Sequence, residues 1–144
     1  VAVNLRIPKV MCHELKEKNT NTQLRGFHIH NFGDTTQGCI SAGPHFNPFN
    51  VKHGSLTSSI RHLGDLGNID LSEWNQSNDF EYTFKAKGIS LDHADGFSRC
   101  ILGRSVVLHA DEDDLGLTDH ELSPLTGNAG GRFSCGVIGY SEKN

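Results

Sequence analysis

The stretch GFHIHNFGD, residues 26–34, sets how this chain is read. Phe27 and Ile29 alternate with His28 and His30. A period of two is the mark of a half-buried β-strand, whose successive side chains point to opposite faces. The two apolar residues then face a core. The two imidazoles share the other face, ~7 Å apart along the backbone, close enough to share one metal ion. Taken alone, such a pair more often marks a polar strand face than a metal site.

The same period recurs outward from this segment. Val1, Val3, Leu5 and Ile7 alternate with Ala2, Asn4 and Arg6. Phe80, Tyr82, Phe84 and Ala86 alternate with polar residues, as do Phe133, Cys135 and Val137 with Ser134 and Gly136. ILGRSVVLHA (101–110) reads as a strand buried on both faces, and PKVMCHEL (8–15) as part of a further N-terminal strand. Helical periodicity is weak, and one turn is expected within 112–122. Long stretches rich in Gly, Asn, Ser and Pro, 31–59 and 111–131, separate the strands. Loops of that length in a small domain usually carry function. The expectation is a single all-β domain over 1–144, a sandwich or barrel with two long functional loops.

Composition narrows the function. The chain has 144 residues with 16 glycines and 21% charged residues, which suits one turn-rich domain rather than a helical bundle. A net charge of −4 argues against a nucleic-acid or anionic-membrane partner. No window approaches the ~18 consecutive apolar residues of a membrane span. VAVNLRIPKV alternates instead of forming the apolar centre of a signal peptide. A cytoplasmic location is therefore expected, with secretion as the alternative. Of Cys12, Cys39, Cys100 and Cys135, none forms a C-x-x-C pair, which excludes zinc-ribbon and thioredoxin-like chemistry. Three complete pairings of the four are open.

Histidine is the unusual count, at nine. PHFNPFNVKHGSLTSSIRHLGD (44–65) holds His45, His53, His62 and Asp65. Three imidazoles and one carboxylate complete a tetrahedral zinc shell with no open position, the pattern of a structural site. A histidine-rich solvated loop is the alternative on spacing alone. His109 closes the apolar run SVVL. Counted with His28, His30, His45, His53 and His62, it makes too many ligands for one ion. Two metals are the economical reading, and an all-imidazole shell suits Cu(II).

Five segments closely resemble copper/zinc superoxide dismutases: GFHIHNFGD, GCISAGPHFNP (38–48), RHLGDLGN (61–68), LGRSVVLHADEDDLG (102–116) and TGNAGGRFSCGVIG (126–139). The resemblance covers about 26–140, with a divergent middle at 69–99. It implies a Greek-key β-barrel or sandwich whose N-terminal strands are reduced, because only 25 residues precede GFHIH. It implies copper on His28, His30, His45 and His109, and zinc on His45, His53, His62 and Asp65, with His45 bridging. It implies that Asp113 holds the free nitrogens of His28 and His53, and that Cys39 and Cys135 form a disulfide. Cys12 and Cys100 are then buried free thiols. Arg132 matches the arginine beside the open copper position, where a planar fork of donors suits a small oxyanion.

The implied reaction is antioxidant disproportionation of superoxide to dioxygen and hydrogen peroxide by Cu(II)/Cu(I) cycling. Zinc is structural and His45 the proton donor. Gly33, Leu102, Gly103, Val137 and Ile138 match positions of a two-fold contact, so a homodimer is implied, with a copper chaperone as a further partner. The alternative is a non-catalytic dismutase-like module that binds or delivers metal. Some positions depart from the pattern. Leu122 and Leu125 stand where the family has an acid and a lysine, so electrostatic steering of the substrate is expected to be weaker. DHADGFSR (92–99) extends a loop. His13, His93 and His120 match no ligand and are expected at the surface.

Overall fold

A computed structural model describes residues 1–96 and 98–142; Phe97, inside the expected loop extension, and residues 143–144 lie outside the described set. The elements in order are β1 (Ala2–Ile7), α1 (Lys9–Lys18), β2 (Leu24–His30), β3 (Thr36–Cys39), β4 (Asp65–Asp70), β5 (Phe80–Lys85), β6 (Ser105–His109), α2 (Ser123–Thr126) and β7 (Arg132–Val137). The larger sheet is antiparallel with strand order β4-β2-β6-β7, and β1 pairs with β5 in a two-stranded ribbon.

The strand alternation decides which sides meet. In β2, Phe27 and Ile29 join the core while His28 and His30 take the opposite face. Phe27 also meets Phe84 of the ribbon edge to face, at 6.2 Å between ring centroids. Ile7, Leu66, Ile69, Phe80 and Leu108 belong to the same buried cluster, so the ribbon and the sheet share one core. The sandwich is the form realised. Among the described residues, strand pairing does not close into a barrel.

Three local expectations are corrected. PKVMCHEL is not a strand: Lys9–Lys18 is helical. From Met11 on, this segment has no β-branched residue, and Leu15, Lys16, Glu17 and Lys18 are strong helix formers. Cys12 and Leu15, three apart, are its fully buried residues, which is a helical spacing. Arg25, also fully buried, donates from its guanidinium to the carbonyls of Leu15 (2.6 Å) and Asn19 (2.8 Å). These are among the carbonyls that a helix end leaves unpaired. Residues 101–104 form a turn with Gly103 at φ 77°, so β6 begins only at Ser105. The helical turn expected within 112–122 lies just beyond it, at α2, with Pro124 in its first turn and Gly127 at φ 69° past its end.

Candidate metal centre

Four parts of the fold bring the histidines together. β2 carries His28 and His30, 0% and 1% exposed. His109 ends β6, where an irregularity in the pairing sets it against Arg132 of β7. His45 bridges to His30 in the antiparallel sense. The amide of Phe46 donates to Ile29 and that of Gly64 to Phe46, stitching the long loop onto β2. At Gly64 a side chain would strike the Ile29 carbonyl, so only glycine permits this approach. The His62–Asp65 turn is closed on itself: the His62 amide donates to Asp65 Oδ2 at 2.8 Å, and the Gly54 amide adds a second bond at 3.1 Å.

Two groups of buried ligand atoms result. His28, His30, His45 and His109 each offer one nitrogen within 4.8 Å of the others. In the second group, Asp65 Oδ1 lies 2.9 Å from His53 Nδ1, 3.0 Å from His45 Nδ1 and 3.2 Å from His62 Nδ1. His62 Nδ1 lies 3.4 Å from His45 Nδ1. A tetrahedron with ~2.0–2.1 Å metal–ligand bonds has edges of about 3.3–3.4 Å. These four distances sit at or inside those edges. His28 also comes within 4.8 Å of His45, His53 and Asp65, which shows how closely the groups abut.

Tautomers follow from the partners on the far side of each ring. His28 Nε2 donates to Asp113 Oδ2 and His53 Nε2 to Asp113 Oδ1, both at 2.8 Å. His30 Nδ1 donates to the Gly43 carbonyl at 2.7 Å, and His109 Nδ1 to Gly130 at 3.3 Å. A neutral imidazole has one N–H, so the inward nitrogens carry lone pairs. His28 Nδ1 is buried without a hydrogen-bond partner. His30 Nε2 and His109 Nε2 face each other across 3.4 Å. Lone pairs gathered this way repel unless a cation lies among them. The donor chemistry fits one ion in an all-imidazole set and another in a His₃Asp set.

Ionisation agrees with this for His30, His45 and His109, and differs for His53. Burial drives the His30 pKa down to about 2, that of His109 to about 3 and that of His45 to about 4, so these rings stay neutral and ready to ligate. Burial opposes charge on Asp65 and Asp113 too, but the histidine hydrogen bonds outweigh it. They hold Asp65 far below the usual carboxylate range and Asp113 at about 2. For His53, burial is likewise outweighed by Asp113 and Asp65, and its pKa rises to about 9. A proton there occupies the place a metal would take.

Asp113 is itself held. Asn68 donates to the Asp113 carbonyl and accepts from the Asp113 amide, both at 2.8 Å. At Gly127 a Cβ would meet the Asp113 carboxylate and His53 Nε2, so that position requires glycine. Arg61 donates to the carbonyls of His62, Leu63 and Asp65, fixing the turn that carries two ligands. Asn68 and Arg61 were not identified from sequence. Only their place in RHLGDLGN, beside the ligands, pointed toward them.

Arg132 is half-buried, and its Nη1 donates to the Cys39 carbonyl at 2.7 Å. A disulfide joins Cys39 to Cys135, so the loop holding Arg132 is tied to Arg132's own strand. Cys12 and Cys100 are free and buried. With His30, His45, His62 and His109, Arg132 lines a cavity of about 1200 Å³. His13, His93 and His120 lie outside both ligand groups, at exposed positions.

A family model described as copper/zinc superoxide dismutase matches residues 7–138. The Cu-Zn superoxide dismutase of Saccharomyces cerevisiae is 48% identical over 135 residues, covering 94% of this chain and 82% of the yeast protein. A protein of the Autographa californica nuclear polyhedrosis virus, also carrying a Cu-Zn superoxide dismutase name, is 50% identical over 115 residues. That match covers 80% of this chain and 72% of the viral protein.

Proposed function

Because the chain belongs to the copper/zinc superoxide dismutase family, we propose that its converging imidazoles and Asp65 hold two metals with His45 between them. The activity is disproportionation of superoxide, with copper and zinc as cofactors. Two superoxide ions and two protons give one dioxygen and one hydrogen peroxide. Bound copper supplies a one-electron redox couple, and zinc a fixed charge beside it.

One observation carries the assignment. His28 and His45 both come close to the two groups, but Nε2 of His28 is taken by Asp113, whereas both ring nitrogens of His45 face ligand atoms. Nδ1 faces Asp65 and His62, which leaves Nε2 for His28, His30 and His109. His28, His30, His45 and His109 are the copper set. His45, His53, His62 and Asp65 are the zinc set.

Each further residue has a task that follows from its chemistry. Arg132, a permanent cation on the cavity wall, draws in the superoxide anion and orients it with a planar fork. His45 Nε2 holds a proton and gives it up as peroxide forms. Asp113 fixes the ring directions of His28 and His53, so each presents Nδ1 inward. The Gly43 and Gly130 carbonyls do the same for His30 and His109.

The test is to load the protein with copper and zinc and follow superoxide disproportionation beside Arg132→Ala and His28→Ala. Arg132→Ala should keep both metals and lose about tenfold or more in kcat/KM. His28→Ala should lose copper. Full metal content without activity would favour a metal-delivery module instead.

A two-fold homodimer is the proposed assembly. Gly33, Gly103 and Val137 converge at one spot, where a Cβ on Gly33 would meet the Gly103 carbonyl. Gly103 also donates to the Ile138 carbonyl at 2.9 Å. Val137 is exposed there, as is neighbouring Phe32. A monomer by light scattering would overturn this. A copper chaperone as metal donor and a cytoplasmic location complete the proposal. Among the described residues, no helix is long and apolar enough to cross a membrane.

A further inference from the structure

The cavity over the metal centre is larger and more apolar at its mouth than a diatomic anion needs. Among the described residues its wall carries two cationic side chains, Arg132 and Lys52, and no carboxylate. It also carries Ile60, Leu122 and Leu125, which are 62%, 41% and 59% exposed. Pro124 and Val51 continue the same apolar wall. Leucine and isoleucine left half-exposed on a cavity rim keep apolar area that a ligand can cover. Superoxide, with no apolar part, makes no use of it.

We propose that this cavity is a binding site for amphiphilic monoanions, an anionic head joined to a short unbranched alkyl chain. The head pairs with Arg132, and the chain lies along Ile60, Leu122 and Leu125. Charge complementarity selects the head: Arg132 and Lys52 face no competing acid on the lining. The nearest acids in sequence to the leucines, Asp119 and Glu121, are exposed and do not line the cavity. The apolar rim selects the tail. The proposal goes beyond the dismutase reading and rests on it only in taking Arg132 as the anion-binding group.

The experiment is calorimetric titration of acetate, butyrate and hexanoate into the copper- and zinc-loaded protein and into the metal-free protein, without superoxide. A fully buried methylene is worth about fourfold in affinity and a half-buried one about twofold. Affinity should therefore rise about twofold per methylene in both forms. Leu122→Glu with Leu125→Lys, both at exposed positions where folding is not at stake, should flatten that rise. Arg132→Gln should weaken all three acids by a similar factor while the rise with chain length persists. Equal affinity for acetate and hexanoate, no detectable binding of either, or a rise that survives the double substitution would each overturn the proposal. None of these results bears on dismutation, which its own assay decides.

Discussion

Asp113 accepts from a histidine of each proposed metal set through its two carboxylate oxygens. An amide has one acceptor oxygen and two N–H donors, so Asp113→Asn would turn a donor toward one ring and reverse that ring's tautomer. Loss of such a partner typically weakens metal binding by about 10–100-fold. Chelator competition on the Asp113→Asn variant should show that loss for at least one metal; unchanged affinity for both would mean the rings are held by other means. The ligands were legible in the sequence because strand alternation places His28 and His30 on one face, and because His45, His53, His62 and Asp65 crowd one loop. Asn68 was not. Its hydrogen bonds reach Asp113, 45 positions away, and no local pattern reports a contact made by folding.

Helix α1 is the element where the sequence misled. The alternation of β1 leads straight into PKVMC, although Cys12 and Leu15, three apart, would point to opposite faces of a strand and share one face of a helix. What decides for helix is tertiary: a pocket that takes Cys12 and Leu15 together, and a buried guanidinium that collects the carbonyls at the helix end. Leu15→Ala should cost about 2–5 kcal/mol, as for a fully buried leucine that leaves a cavity. Urea unfolding of the metal-free protein measures it, and a cost under about 1 kcal/mol would show that α1 contributes little to the core. At the other end of the chain, the disulfide closes a loop across a sequence separation of 96. Cys135→Ser should lower stability by about 4–5 kcal/mol on the chain-entropy estimate. Equal urea midpoints for the oxidised protein and the variant would contradict that.

At the scale of the molecule, the buried histidines make metal-free stability depend on pH in both directions. His30, His45 and His109 titrate in the folded chain at about 2, 4 and 3, below the ordinary ~6.5. Below pH ~6.5 the unfolded chain takes up protons that the folded rings refuse. Stability is thus whole above ~6.5 and is lost as pH falls toward 4, at up to about 1.4 kcal/mol per unit for each ring. His53 has the opposite sign. Its folded pKa of about 9 lies above the unfolded value, so its contribution is present below ~6.5 and is lost as pH rises toward 9. The metal-free protein should be most stable near pH 6.5 in urea titrations at pH 4.5, 6.5 and 9. Stability that climbs steadily through this range would show that the rings are not buried as described. The whole molecule also sets substrate capture. With Leu122 and Leu125 at the cavity mouth, kcat/KM should fall less steeply with ionic strength than in a relative with lysine at the position of Leu125.

The account turns on one ring shared by two ions. Crystals of the copper- and zinc-loaded protein, measured on either side of each metal's absorption edge, locate each ion separately. The account predicts a copper peak among His28, His30 and His109, a zinc peak among His53, His62 and Asp65, and the His45 ring between them with one nitrogen toward each. A single peak, or a His45 ring reaching only one ion, would contradict it.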